Sequence, residues 1–297
     1  MTPLGNLPGG YASSARDVND NGQVVGFAST DGGGGNQPFI WKSQTGMMNL
    51  GLLVGCTGGA AFAINNAGEV IGTGDFEGQQ RAFLWSARDG VEFLSWTDRK
   101  ILPRWLSDTG TIFGAEWTGT TYHGFIYERE AGVSYVLPPA PYDEADVGHG
   151  SGNGLVVGGF TDRATNTSRG FLMDEEITIF EPLEGFDTTY ANRVNDEGIV
   201  FGASVLGGAP ETSIATVWIA SEPVALHALV DDAQGWVLQR VTDLNSAGQI
   251  VGQGINPDGH THGYLLTVIP EPATFALLTF GGLALLCRQR PRPGQRG

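Results

Sequence analysis

Four groups of side chains in this chain have the types and spacing that could do chemistry. Asp17-Val18-Asn19-Asp20-Asn21-Gly22 sets oxygen ligands at alternate positions with a glycine sixth, the opening of a calcium-coordinating loop. Such a loop wants a bidentate carboxylate at its twelfth position, and Ala28 stands there. His260 and His262 would lie on one side of an extended segment, because side chains alternate along a strand. A metal needs a third ligand, and the remaining histidines, His123, His149 and His227, lie in other parts of the chain. Carboxylates cluster at Asp143-Glu144-Ala145-Asp146, Asp174-Glu175-Glu176 and Asp231-Asp232. Paired carboxylates cleave glycosides when their spacing in the fold is right, which spacing in sequence does not set. Trp96, Trp105, Trp117 and Trp236 are the fourth group, candidates for stacking platforms under sugar rings. Nucleophilic hydrolysis leaves no trace: there is no Gly-x-Ser-x-Gly elbow, and Cys56 has no histidine nearby in sequence. The calcium-like loop reads as a turn, the histidines as rim residues and the acids as solvated loops, so no catalytic residue, metal ligand or cofactor is assigned.

These groups need a scaffold, and internal repetition specifies it. Asn19-Asp20-Asn21-Gly22-Gln23-Val24-Val25-Gly26 returns as Asn65-Asn66-Ala67-Gly68-Glu69-Val70-Ile71-Gly72, with further copies opening at Asn195 and Asn245. Weaker copies carry Ser107 and Ser151 in place of the asparagine. The closing glycines fall at 26, 72, 114, 158, 202 and 252, a period of about 45 residues. In each copy Asn-x-x-Gly is a tight turn, because Asn bonds its own backbone and Gly accepts a positive φ. The β-branched run that follows is a buried strand. A second strand carries a large aromatic, as in Pro38-Phe39-Ile40-Trp41, Arg81-Ala82-Phe83-Leu84-Trp85 and Gly170-Phe171-Leu172. A third is short, as in Met48-Asn49-Leu50-Gly51. Six such units predict an all-β fold, a six-bladed β-propeller over residues 1–266. Leu4-Gly5-Asn6-Leu7 has the spacing of a unit's last strand, and the sixth unit lacks one, so the N-terminus is expected to complete the sixth blade and close the ring.

The units resemble the HAF family of extracellular repeats, through the Asn-x-x-Gly-x-Val-Val-Gly turn and strand and through Ala82-Phe83-Leu84-Trp85. That resemblance implies fold and an extracellular location, and it carries no chemistry.

The C-terminal residues 267–297 have a different grammar. Pro270-Glu271-Pro272 precedes an uncharged apolar run, 273–287, and then Arg288, Arg290 and Arg292. Apolar residues followed by fixed positive charge enter a bilayer and leave the basic end on the cytoplasmic side. The run predicts a short C-terminal transmembrane helix, below the roughly 20 residues of a stable span. The order resembles the PEP-CTERM sorting tail of Gram-negative exported proteins. The resemblance implies that Pro270, Glu271, Pro272, Arg288, Arg290 and Arg292 form a sorting signal. It implies recognition by an exosortase-type membrane protease, with passage through the inner membrane to the cell surface or extracellular matrix. No N-terminal signal peptide is visible, since Met1-Thr2-Pro3-Leu4-Gly5-Asn6 has neither a basic nor an apolar region; export therefore predicts that the true start lies upstream.

Charge fits that address. Without the residues from Ile269 onward, 12 lysines and arginines face 31 aspartates and glutamates, a net of −19 (12 − 31). Such a surface repels nucleic acid and disfavours a role in binding it. Cys56 and Cys287 are the only cysteines, so the body has no internal disulfide and depends on its core. The sequence reads as a non-enzymatic exported propeller with a structural or glycan-associated role, an extracellular polysaccharide being the expected partner. The alternative is an exported glycan-active hydrolase or lyase using propeller carboxylates.

Overall fold

A computed structural model of the chain describes residues 3–30, 35–230, 235–245 and 248–267. It is a six-bladed β-propeller built of successive antiparallel meanders. The first sheet holds β1 (Ser13–Val18), β2 (Val24–Ser29), β3 (Asn36–Lys42) and β4 (Gly46–Asn49). After a short helix, α1 (Leu50–Val54), the second holds β5 (Gly59–Ile64), β6 (Val70–Phe76), β7 (Gln79–Ser86) and β8 (Gly90–Phe93). The third holds β9 (Lys100–Leu106), β10 (Ile112–Trp117), β11 (Tyr122–Glu128) and β12 (Gly132–Val136). The fourth holds β13 (Glu144–Gly150), β14 (Val156–Asp162), β15 (Thr167–Met173) and β16 (Ile177–Ile179). The fifth holds β17 (Thr188–Val194), β18 (Val200–Val205), β19 (Ile214–Ile219) and β20 (Glu222–Ala225). The sixth holds, among the described residues, three strands, β21 (Val237–Leu244), β22 (Ile250–Ile255) and β23 (Thr261–Leu266). The first strand of each sheet touches three strands of the sheet before it, from β5 to β21, and so lies innermost.

The repeat is legible in the packing. Asn65 N–H bonds Glu69 O at 3.1 Å and Gly68 N–H bonds Asn65 O at 3.0 Å, with Gly68 at φ 79°, where a Cβ is disfavoured. Opposite every closing glycine the innermost strand carries a bulge, for example between Val147 and His149 facing Gly158. The bulge turns a carbonyl onto the glycine, and the aromatic of the third strand covers it: a Cβ on Gly158 would lie 2.1 Å from Asp146 O and 2.8 Å from the Phe171 ring. Glycine and aromatic therefore repeat together because one makes room for the other.

Neighbouring sheets share their cores. Val25, Ile40 and Leu50 pack on Ala61, Val70 and Phe83 between sheets one and two, and four more such cores carry the pattern round to sheet six. Burying one such aliphatic or aromatic side chain contributes about 1.5–3 kcal/mol. The sixth core differs. Leu4 and Leu7 pack on Ala28 and Phe39 of the first sheet. No strand forms over residues 3–12, so the expected closing strand at Leu4–Leu7 is not there. These leucines instead fill the place Leu50 fills between sheets one and two, one unit later. The seam between sheets six and one is left as a groove of about 310 Å³, lined by Leu4, Arg16, Asp17, Val18 and Asp243.

The sorting signal at Pro270, Glu271, Pro272, Arg288, Arg290 and Arg292 and the transmembrane helix expected over 273–287 lie outside the described residues. Among the described residues no helix is long and apolar enough to cross a membrane.

Candidate functional site at the propeller axis

Nine residues before each closing glycine, every innermost strand places one side chain just beyond its bulge. The six equivalents are Asp17, Ala63, Trp105, His149, Arg193 and Asp243. The surrounding strand is repeated from sheet to sheet, yet this position changes chemistry at nearly every step. Around the axis these groups meet one another. Arg193 Nε donates to Asp243 Oδ1 at 2.8 Å, and the Trp105 and His149 rings lie 4.3 Å apart. Asp17 Oδ2 accepts from Ile64 N–H of the next sheet at 2.8 Å, and Oδ1 accepts from Val18 N–H at 2.8 Å. A neighbouring pair adds charge, with Arg104 Nη2 donating to Asp146 Oδ2 at 2.8 Å.

The environments of these groups differ. Burial pushes the Asp17 carboxyl up, the two backbone donors and Arg193 work against that shift, and the nearby Asp243 charge adds to it. Burial pushes His149 well below the usual imidazole value, with Arg193 adding to the shift, so the ring is neutral at pH 7. His149 Nδ1 is buried and has no hydrogen-bond partner among the described residues. A raised pKa in the folded state means that folding binds the Asp17 proton more tightly. That contribution is complete below the unfolded value of about 3.9 and fades as pH rises through the folded value. Asp17→Asn keeps one acceptor and sets an amide N–H in place of the other, so the change that reads the titration is relative: its melting temperature is expected to fall against the parent's between about pH 7 and about pH 4, as the parent carboxyl takes up its proton. Parallel melting curves that never diverge with pH would count against it.

The groups singled out by sequence fall as follows. Asp17, Asn19 and Asn21 are spent on joining sheets: Asn19 Nδ2 donates to Asn65 O and Asn21 Nδ2 to Asn66 O, both at 2.9 Å. Among the described residues no three metal-binding side chains gather. The His260 and His262 rings are 6.4 Å apart, and Trp236 is 6.5 Å from His262. Asp143, Glu144 and Asp146 are engaged by Arg163 N–H, the Arg163 guanidinium and Arg104. Asp174 caps its own turn through Glu176 N–H, and Asp231-Asp232 lie outside the described residues. Cys56 is buried in the first inter-sheet core, which raises its thiol pKa.

Of the tryptophans, Trp96 is core: it stacks on Tyr127 at 4.9 Å and meets the Phe125 edge at 4.9 Å. Its indole N–H also serves Glu116, a carboxylate only 1 % exposed that takes further donors from Arg99 at 3.3 Å and from Tyr135. Burial pushes Glu116 up, and the donors from Tyr135, Trp96 and Arg99 outweigh it, holding the carboxyl below its ordinary value. Trp117 pairs with Tyr122 at 4.8 Å, half-buried on the rim. Trp105 alone reaches the axis.

Comparison with known proteins adds the fold. Neither a family model nor a curated protein matches the chain. A catalytically inactive virginiamycin B lyase from Staphylococcus aureus, solved with quinupristin, is similar at 10 % identity and TM-score 0.50, over 85 % of this chain and 84 % of that one. The selenomethionine-substituted form of that lyase is similar over 89 % of this chain and 86 % of its own at 10 % identity and TM-score 0.45. What this chain shares with the first of these is the fold.

Proposed function

We propose that this chain is the body of an exported envelope or matrix protein that holds a saccharide at the groove between its sixth and first sheets without transforming it. One observation carries the binding reading: of the six equivalent positions, Asp17 and Asp243 open on a groove of about 310 Å³ at the seam between sheets six and one, with Arg193 bonded to Asp243. Carboxylates accept from sugar hydroxyls, and a guanidinium donates to them. A binding site of this kind needs few convergent polar groups in a concave surface. The export reading is supported by the order of Pro270-Glu271-Pro272, the apolar run and the arginines, and by the acidic body. A proline biases the residue before it toward an extended conformation, which suits a protease cleft.

A glycan array with the purified protein, with and without calcium, tests the binding. Arg193→Ala and Asp243→Ala are expected to weaken capture by at least about tenfold, the loss of one charge-assisted contact. Capture that both variants retain in full would place the ligand elsewhere. The sorting half has its own readout: Pro270→Ala with Pro272→Ala should leave the tail uncut in cells that carry an exosortase.

A second reading has its own observation. Asp17 is pushed up while Asp243 is paired with Arg193, and two carboxylates in unlike environments suit acid and base roles. Release of shortened sugars on the array would favour that hydrolase or lyase reading.

A further inference from the structure

We propose that the cavity between sheets five and six is a second ligand site, shaped for one sugar ring held by its hydroxyls. It takes its ligand class from the saccharide reading above, but different residues build it at a different seam. Each innermost strand carries one bulge opposite its closing glycine, and β21 alone carries two. The added bulge falls between Leu238 and Arg240 and inserts Gln239. Bulges re-aim side chains and are over-represented beside active sites. Gln239 is only 7 % exposed, and its Nε2 donates at 3.2 Å to Glu211 O, across the seam in the 3₁₀ turn Pro210–Thr212. That turn sits in the longest of the six loops between a second and a third strand, residues 206–213. Beside the bulge Arg240 pairs with Gln253, and its Nη2 donates to Gln253 Oε1. The same pair of positions holds Ala60 and Thr73, Leu102 and Ala115, and Tyr190 and Ala203 in other sheets.

Three departures from the repeat therefore meet at one place: an extra bulge, a long loop and a polar cross-strand pair. They enclose a cavity of about 320 Å³ whose walls include Glu211, Gln239, Arg240, Gln253, Ile255 and Thr261. Burying an amide in a seam otherwise packed with apolar side chains costs stability. Chains that break their own local pattern in this way do so at functional sites. The volume lies at the small end of ligand cavities, which run from about 300 to 1,000 Å³. A sugar hydroxyl both donates and accepts, so a ring of them needs donors and acceptors interleaved. Here a carboxylate accepts, a guanidinium donates and two amides do both, while Ile255 offers an apolar wall to the C–H face of the ring. A simple anion would meet Glu211 and a simple cation Arg240, so the lining disfavours both.

Hydrogen–deuterium exchange on the full chain, with a panel of methyl hexosides added one at a time, tests this because it reads the two seams separately. At a sugar concentration about ten times its Kd, amides of residues 206–214 are expected to exchange about tenfold more slowly. Gln239→Leu, close in volume, should raise that Kd at least about tenfold while its exchange without sugar matches the parent's. Gln253→Leu serves if the first variant folds poorly. Protection at 206–214 with none at residues 13–24 would uphold this site and remove the groove between sheets six and one. Protection confined to 13–24 would uphold that groove and overturn the present proposal. Protection at 206–214 that both glutamine variants keep in full overturns it too, as does the absence of protection with every hexoside.

Discussion

Gly158→Ala is expected to cost about 4 kcal/mol of folding stability, while Gly159→Ala, one residue along, is expected to cost about 1 kcal/mol or less. A Cβ at Gly158 would sit 2.1 Å from the backbone oxygen of Asp146 and 2.8 Å from two atoms of the Phe171 ring. The oxygen cannot swing away, because the bulge between Val147 and His149 fixes it and Val147 and its neighbour Ala145 sit in the core between sheets three and four. Phe171 is fully buried and stacked on Phe160 at 4.3 Å, so the ring has nowhere to go either. At Gly159 the nearest atom to a new Cβ is Arg169 O at 3.9 Å, an ordinary contact. Urea titration of both variants gives the comparison. Equal midpoints would show that the bulge yields easily and that the repeated glycine is there for another reason.

The same geometry sets what could be read in advance. The period of about 45 residues, the Asn-x-x-Gly turn and the glycine-aromatic pair are local and repeated, so six copies of a weak signal specified six sheets. The closing strand was misread because Leu4-Gly5 has the pattern of Leu50-Gly51, and that pattern belongs to the connector after a fourth strand rather than to the strand. Leu50 opens α1, with Asn49 as its cap, and Leu4 packs where its counterpart would. The axial set was recoverable by counting nine residues back from each closing glycine. Scanning for motifs could not find it, because its members lie in six different sheets and are chemically unlike. Trp96 and Glu116 show a different limit: nothing in a lone Glu says that it will be buried, and its partners come from a loop and one other strand.

Asn65 gives the other large effect, and it concerns how the sheets are held to one another. Its Oδ1 accepts from Glu69 N–H at 2.9 Å, which closes its own turn. Its Nδ2 donates to Glu69 Oε2 at 2.8 Å and across the seam to Ser107 O at 3.1 Å, while its own carbonyl takes Asn19 Nδ2 at 2.9 Å. The side chain is 2 % exposed, so whatever is left unpaired stays unpaired. Asn65→Ala is therefore expected to cost about 2–3 kcal/mol, two or three buried hydrogen bonds at about 1 kcal/mol each. The chain itself supplies the informative intermediate. At the equivalent positions Ser107 Oγ accepts from Thr111 N–H at 2.9 Å and Ser151 Oγ from Leu155 N–H at 3.0 Å, which is the turn-closing half of the role. Serine is too short for the crossing half, and sheets four and five keep the neighbouring bond, Asp196 Oδ1 accepting from Gly152 N–H at 2.9 Å, whose counterpart beside Asn65 is Asp108 Oδ1 accepting from Asn66 N–H at 2.8 Å. Asn65→Ser should then recover roughly half of the loss in Asn65→Ala, about 1 kcal/mol, by restoring one acceptor and not the inter-sheet donor. Denaturant midpoints for the three proteins decide it. A serine variant as weak as alanine would mean that the turn contributes little and the crossing bond nearly everything. One as strong as the parent would mean that the asparagines join no sheets, and that the shared apolar cores alone hold neighbouring blades in register.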